Sequence, residues 1–180
     1  AEVVGFRKDH MLVMPLHNAH GISAHCRVVP DERPQTVPVG EALLGRVVDP
    51  LMRPMDDLGE ISLTQEVPLY PEVINPLKRE RIKEPLDVGV RVINSCLTCG
   101  RGQRVGILAG SGIGKSMLLG MMARYTDADV NVISLVGERG KEVREFIEDN
   151  LGEEGMKRSV VICATSDQPP LLRMRCAFIS

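Results

Sequence analysis

Apolar positions change their rhythm near residue 86. Downstream of it, short apolar runs alternate with stretches of helical period. Gln103-Arg104-Val105-Gly106-Ile107-Leu108-Ala109 predicts a buried strand, followed at once by glycines and then by a helix over Ser116 to Tyr125. Val130 to Val136 predicts a second strand and Lys141 to Leu151 a second helix. Val160 to Ala164 predicts a third strand, and Pro169-Pro170 suits the first turn of a third helix. Strand and helix alternating in this way imply βαβ crossovers and a parallel sheet. The fold class expected is therefore α/β.

Upstream the pattern is different. Val3-Val4-Gly5-Phe6, Met11-Leu12-Val13-Met14 and Arg27-Val28-Val29 are short apolar pieces broken by polar residues, as in a small sheet or barrel. Nine of the twelve prolines lie between Pro30 and Pro85, which prevents long helices there and favours extended segments and turns. Gly45 to Pro50 predicts a strand ending in a turn, and residues about 50 to 85 an irregular connector. Internal repeats and low-complexity segments are absent from the sequence.

The candidate chemistry concentrates between the first downstream strand and its helix, in Ala109-Gly110-Ser111-Gly112-Ile113-Gly114-Lys115-Ser116. A phosphate-binding P-loop occupies that position. Glycines at 110, 112 and 114 let the backbone curl so that successive N–H groups point into one hollow. The positive end of the following helix faces the same hollow. Lys115 adds a full positive charge for the β- and γ-phosphates, and the Ser116 hydroxyl can ligate Mg²⁺. Candidate nucleotide-binding residues are thus Gly110, Ser111, Gly112, Ile113, Gly114, Lys115, Ser116 and Met117, with Ser116 as the metal ligand.

The usual pattern opens with Gly where this chain has Ala109, a substitution that keeps the position small. An ordinary glycine turn explains Gly-Lys-Ser in this context poorly. A dinucleotide-binding turn lacks its third glycine at the required offset. No Asn-Lys-x-Asp guanine-reading motif occurs, which favours ATP over GTP.

Gly137-Glu138-Arg139-Gly140 follows the second strand of this region. The carboxyl ends of parallel strands line a ligand crevice, so Glu138 and the P-loop are expected to share one edge. A carboxylate there can polarise the water that attacks a γ-phosphate, and an adjacent Arg can hold that carboxylate or sense the phosphate. Without the P-loop the pair would read as solvated loop residues. With it, Lys115, Glu138 and Arg139 are the candidate catalytic residues.

Composition changes little of this. The chain has 180 residues, 43% hydrophobic and 26% charged, so one packed domain with a smaller piece attached fits its size. With 22 basic and 24 acidic residues the net charge is −2, which gives no reason to expect nucleic acid as a partner. Neither a signal peptide nor an apolar stretch of membrane-spanning length is visible. Five unevenly spaced cysteines point to reduced thiols in a cytoplasmic protein. Cys96 and Cys99 have redox or zinc spacing without a second pair, and read as buried or idle thiols. His17, His20, His25 and Cys26 have no helical or strand period to converge on a metal, and read as loop residues. Met117, Leu118, Met121 and Met122 read as a helix face packed on the sheet. The mixed charges from Lys141 to Arg158 read as a solvated surface. The chain starts within a strand and stops just after a helix begins, so it reads as a segment of something longer.

Residues 110–126 resemble the P-loop and following helix of flagellar and type III secretion export ATPases, a branch of the rotary ATP synthase catalytic-subunit superfamily. Residues 136–148 and Ala164-Thr165-Ser166-Asp167-Gln168-Pro169-Pro170-Leu171-Leu172-Arg173-Met174 are similar to the same family, as are 40–49 and 85–93. Leu97-Thr98-Cys99-Gly100 and Ala164-Thr165-Ser166-Asp167 point to its secretion branch.

The resemblance implies a RecA-like P-loop core over residues 71–180, present in part. Before it would lie the end of a small N-terminal β-barrel domain and its connector, residues 1–70. It further implies an ATP hydrolase in which Lys115 binds the phosphates, Ser116 the Mg²⁺, Glu138 acts as catalytic carboxylate and Arg139 steadies the network. Implied partners are further copies in a hexamer, central-stalk and peripheral regulator subunits, and export chaperones with their substrates. The implied place is cytoplasmic, peripheral at an inner-membrane export gate. The family's Walker B aspartate, its intersubunit arginine and its C-terminal helical domain lie beyond the sequence. Weak or absent turnover is therefore the expectation for the isolated chain. A binding module without turnover, or an ATP-synthase-type subunit, are the alternatives.

Overall fold

All six residues from Ser159 to Ala164 are buried. Val160, Val161 and Ile162 are β-branched and suit a strand covered on both faces. In this computed structural model, which describes residues 1–17, 19–23, 25–31, 35–110 and 112–180, that run is the middle strand of a three-stranded sheet. In chain order the elements are β1 (Glu2–Arg7), β2 (His10–Met14), β3 (Thr36–Val39), β4 (Val47–Val48), β5 (Gln65–Pro68) and β6 (Pro85–Leu86). There follow α1 (Arg91–Cys96), β7 (Cys99–Gly100), α2 (Lys115–Tyr125), β8 (Asn131–Val136) and α3 (Gly140–Glu145). A π-helical turn (Phe146–Leu151), α4 (Gly152–Lys157), β9 (Ser159–Ala164) and α5 (Pro170–Phe178) complete the chain.

The main sheet has the order β4-β9-β8 and is parallel throughout. β8 and β9 pair from Asn131–Ser159 to Val136–Ala164 without a slip. The α/β class with a parallel sheet is as expected, and so are β8, β9, α2 and α5 to within a residue or two. β4 joins the outer side of β9 through Val47–Val161 and Val48–Ile162. The predicted division of the chain at residue 70 is therefore crossed by strand pairing. β1 and β2 form an antiparallel hairpin, β3 pairs antiparallel with β5, and β6 with β7.

Three expectations fail. Gln103 to Ala109 forms no strand, and Val105 and Leu108 are 54% and 98% exposed. A strand needs a paired neighbour to satisfy its amides, and among the described residues none lies beside it. Arg27-Val28-Val29 is likewise extended but unpaired and exposed. The connector read between 50 and 85 contains β5, which pairs with β3 despite Pro38 and Pro68 in the two strands. A two-stranded ribbon has a free edge on each strand, where a missing N–H costs nothing.

Two clusters of buried side chains flank the sheet. Leu43, Val48, Val160, Ile162, Ala164 and Cys176 pack on one side, under α5. Phe146, Leu151 and Val161 pack on the other, with Ala123, Ile133 and Leu135 against them. Each fully buried aliphatic side chain contributes roughly 2 kcal/mol by removal from water. Helix α2 touches the second cluster through Ala123. Its larger residues Leu118, Met121 and Met122 instead cover Val88, Val90 and Cys99, while Met117 is 62% exposed. The methionine-rich face thus packs on the 86–99 segment rather than on the sheet, and Met117 lies outside it.

What allows α2 so close is Gly120. A β-carbon there would sit 2.6 Å from the carbonyl oxygen of Asn150, in the π turn. The helix predicted over 141–151 continues to Lys157, but as α3, the wide π turn and α4, with a break at Gly152 (φ 65°). The far end of α2 is tied down by Arg158. Its guanidinium donates to the carbonyls of Ala123 (3.0 Å), Arg124 (2.7 Å) and Ala128 (2.9 Å). Asn131 Nδ2 donates to Ala123 O at 2.8 Å as well. The C-terminus of α2 is therefore fastened to the entry of β8, and only its N-terminal turn is left open.

The edge strand β4 is held by a fork. Arg46 Nε and Nη2 donate to the two oxygens of Asp56, both at 2.8 Å, and Nη2 also donates to Gly59 O at 2.7 Å. The Val47 N–H donates to the same carboxylate at 2.9 Å. The hydrogen bonds from Arg46 hold the Asp56 carboxyl at about 2, well below its usual range. A depressed carboxyl pKa stabilises the fold above the unfolded value near 4, and that contribution is lost as pH falls through about 2.

Two outcomes follow. Asp56→Asn lowers stability by about 1–3 kcal/mol at pH 7, because it leaves a nearly buried guanidinium without its counter-charge; the gap to the parent narrows between pH 4 and pH 2 in denaturant titrations. Gly120→Ala costs about 1–3 kcal/mol by overpacking α2 against the π turn, read as a fall in Tm, whereas Ala at solvent-facing Gly106 leaves Tm within about a degree.

Candidate nucleotide site

The candidate residues 110–117 sit where the open end of α2 begins. Gly114 is the residue before the helix, in left-handed conformation (φ 91°), and Gly112 also has positive φ (77°). A β-carbon at either would meet nothing within 4 Å. Backbone conformation, and not space, therefore demands glycine at these two positions. The first helical bond runs from Leu118 N–H to Gly114 O at 2.9 Å. The amides of Lys115, Ser116 and Met117 thus have no intrahelical acceptor, and no side chain caps them. This is the arrangement that binds anions at a helix N-terminus.

Gly110, Gly112, Ile113, Gly114, Lys115, Ser116 and Met117 are all exposed; Ser111 lies outside the described residues. Among the described residues no hydrogen bond or ion pair engages the Lys115 ammonium. It is therefore available to an incoming anion. The Ser116 hydroxyl sits in the same open first turn, and a hydroxyl beside a phosphate-binding lysine suits Mg²⁺, which prefers oxygen ligands. The donor set fits a magnesium–nucleotide.

Glu138 and Arg139 lie past the carboxyl end of β8. Gly137 takes positive φ (76°), its N–H donating to Ala164 O at 2.7 Å. The carbonyl of Glu138 accepts from Ser166 N–H at 3.1 Å, so its loop is stitched to the loop after β9. Arg139 caps α3: its carbonyl accepts from Val143 N–H at 3.0 Å, and its N–H donates at 3.4 Å to Glu142. Glu138 is half-buried and Arg139 exposed. Among the described residues no hydrogen bond or ion pair joins this loop to residues 109–116. The structure thus places the two loops without a direct contact of that kind.

The contact that sequence reading missed is the one from Ser166. It is made by a backbone amide, so no side-chain pattern announces it. The in-register β8–β9 pairing alone would have pointed to it.

Three of the thiols are shielded from solvent and two are not. Cys99, Cys163 and Cys176 are buried, while Cys26 and Cys96 are exposed. Burial pushes the Cys163 thiol up to about 11 and raises that of Cys176. Hydrogen bonds from the Ser23 amide and hydroxyl lower that of Cys26. Among the described residues no group of three or more His, Cys, Asp or Glu side chains is placed to hold a metal ion.

Known proteins resemble the whole chain. It is 51% identical to a flagellum-specific ATP synthase of Pseudomonas aeruginosa over 177 residues, 98% of this chain and 39% of that protein. It is 50% identical to a type 3 secretion system ATPase of Xanthomonas euvesicatoria over 179 residues, 99% of this chain and 40% of that protein. The chain thus spans about two fifths of the length of these relatives. Among solved structures, the assembled ATPase EscN from the enteropathogenic E. coli type III secretion system superposes with a TM-score of 0.87. It is 41% identical, covering 99% of this chain and 43% of that one. EscN in complex with its central stalk EscO gives 0.88 at 41% identity, covering 99% and 44%. Residues 89–180 match the ATP synthase alpha/beta family, nucleotide-binding domain. With its glycine-curled loop opening helix α2 inside that matched span, the chain belongs to the ATP synthase alpha/beta family.

Proposed function

We propose that the chain is the nucleotide-binding part of a protein-export ATPase, hydrolysing ATP to drive chaperone release and substrate unfolding in flagellar or type III secretion. The observation that carries this is the uncapped N-terminal turn of α2, reached through Gly112 and Gly114 at positive φ, with Lys115 in it and no partner for its ammonium among the described residues. Supporting it are relatives about half identical along the chain and named for flagellar or type 3 secretion ATPases.

In this reading the amides of residues 110–117 and the Lys115 ammonium hold the phosphates, and the Ser116 hydroxyl takes one position on Mg²⁺. The metal when bound supplies charge that offsets the phosphate oxygens. Glu138 polarises the attacking water through its carboxylate, and Arg139 steadies that carboxylate or the γ-phosphate. Residues 71–180 are the first part of a RecA-like P-loop core, and residues 1–70 the end of a β-barrel domain with its connector.

Assembly is proposed as a hexamer on a central stalk, since EscN is assembled and binds its stalk EscO. Regulator subunits, chaperones and their cargo are its proposed partners. The proposed place is cytoplasmic, peripheral at the membrane export gate; among the described residues no helix is long and apolar enough to cross a membrane.

The test is binding of a fluorescent ATP analogue with and without Mg²⁺. Lys115→Ala should weaken it about 10- to 100-fold, as expected for loss of a charge-assisted phosphate contact. Ser116→Ala should lose most of the Mg²⁺-dependent part alone. Binding that is unchanged in Lys115→Ala sinks the reading.

A further inference from the structure

Helix α2 is open at one end and closed at the other. At its C-terminus the last helical bond runs from Thr126 N–H to Met122 O at 2.9 Å. The two amides that would continue the helix turn away from it. Asp127 N–H donates to Asp87 O at 2.9 Å, and Ala128 N–H to the Thr126 hydroxyl oxygen at 3.4 Å. The carbonyls of Ala123 and Arg124 are thereby left without helical donors. Arg158 supplies them: Nη2 donates to Ala123 O at 3.0 Å and to Arg124 O at 2.7 Å, while Nη1 reaches Ala128 O at 2.9 Å. Asn131 Nδ2 adds a second donor to Ala123 O at 2.8 Å.

Arg158 is itself held by bonds that any side chain at this position would keep. Its carbonyl accepts from Asn131 N–H at 2.9 Å, and Ser159 O accepts from Gly45 N–H at 2.8 Å. Ser159 is fully buried, its hydroxyl donating to Gly155 O at 2.6 Å. The guanidinium therefore reaches the last turn of α2 from a fixed point at the entry of β9. A second hold comes from the 86–99 segment. The Thr126 hydroxyl donates to Asp87 O at 2.9 Å, and the Asp87 carboxylate accepts from Gly89 N–H at 2.7 Å and Asn94 Nδ2 at 2.6 Å.

We infer that Arg158 is a positioning residue for the nucleotide-binding end of α2, acting over the length of the helix. This rests on the reading of residues 110–117 as the phosphate site. A helix of 11 residues is about 16 Å long, and its turns are bonded to one another, so it slides or rotates as one body. The first turn carries no side-chain cap. The aim of its three free amides is therefore set from the far end and from the packing at Gly120. A ligand that needs the helix in one orientation binds more weakly in proportion to the time the helix spends in others. The guanidinium also complements the negative end of the helix dipole, which steadies the last turn.

The experiment uses the protein at its natural length and a fluorescent ATP analogue with Mg²⁺, comparing Arg158→Ala with Asp56→Asn. The second variant loses stability at the Arg46 fork of β4 and so reports what lower stability alone does to binding. Arg158→Ala raises the Kd of the analogue about tenfold, the result for a helix correctly aimed about a tenth of the time. Amide exchange at Thr126 rises about tenfold in the same variant while β8 and β9 amides keep their protection. Asp56→Asn binds the analogue as the parent does. Should Arg158→Ala fail to fold, Arg158→Lys carries the test: it keeps the charge, loses the planar fork and raises Kd about threefold.

Parent-like binding in the folded Arg158 variant overturns the inference. So does an equal loss of binding in Asp56→Asn, which assigns the effect to stability. Binding that ignores Lys115→Ala strikes the nucleotide reading and takes the positioning role down with it. Binding that falls in Lys115→Ala but not in the Arg158 variant strikes the positioning role alone.

Discussion

Six consecutive residue pairs, from Asn131–Ser159 to Val136–Ala164, join β8 to β9 without a bulge. A shift of one residue would turn every β9 side chain to the opposite face and break the packing of Val160, Ile162 and Ala164 on one side and of Val161 on the other. Register and core therefore fix each other. The consequence at the far end is that Gly137 and Glu138 emerge level with Thr165 and Ser166, close enough for two backbone hydrogen bonds between loops. A polar, half-exposed loop is thus placed by the apolar strand pair from which it emerges.

Residues 112–117 are positioned by a different device. Arg158 and Asn131 fasten the last carbonyls of α2 to the entry of β8, and Gly120 lets the helix settle on the backbone of Asn150. Both ends of the crossover are then constrained except for the first turn, where three amides stay without acceptors. A positive helix terminus is costly to leave unsatisfied in an apolar surrounding but not in water. The exposure of residues 112–117 lets water satisfy those three amides.

Sequence pattern read the elements from α2 onward well and those before it only in part, for one reason. Helix α2, strand β8, strand β9 and helix α5 owe their form to local period and to burial that local period encodes, so Val160 to Ala164 could be read as a covered strand. Gln103 to Ala109 has the same apolar character, yet a strand exists only with a paired neighbour, and pairing is not a local property. The converse error occurred at β4. Val47 and Val48 were legible as a strand, but not as part of the β9 sheet, because Val48 and its partner Ile162 lie 114 positions apart in the chain (162 − 48). For the candidate site, the turn at Gly112 and Gly114 was legible because positive φ before a helix demands glycine. The Ser166 amide was not, since every residue carries one.

The two loops share a third constraint. Ala123 from α2 and Phe146 and Leu151 from the segment that follows Glu138 meet in one cluster with Val161 and Ile133. Interiors pack at crystal-like density and transmit displacement instead of absorbing it. A ligand that draws in the first turn of α2 would press the helix along Gly120 against the π turn, where no free space remains. The π turn has one residue more per turn than an α-helix and ends at Gly152 with positive φ. Gly120 against Asn150 on one side, and Leu151 against Val161 on the other, set the π turn between α2 and the buried strand β9.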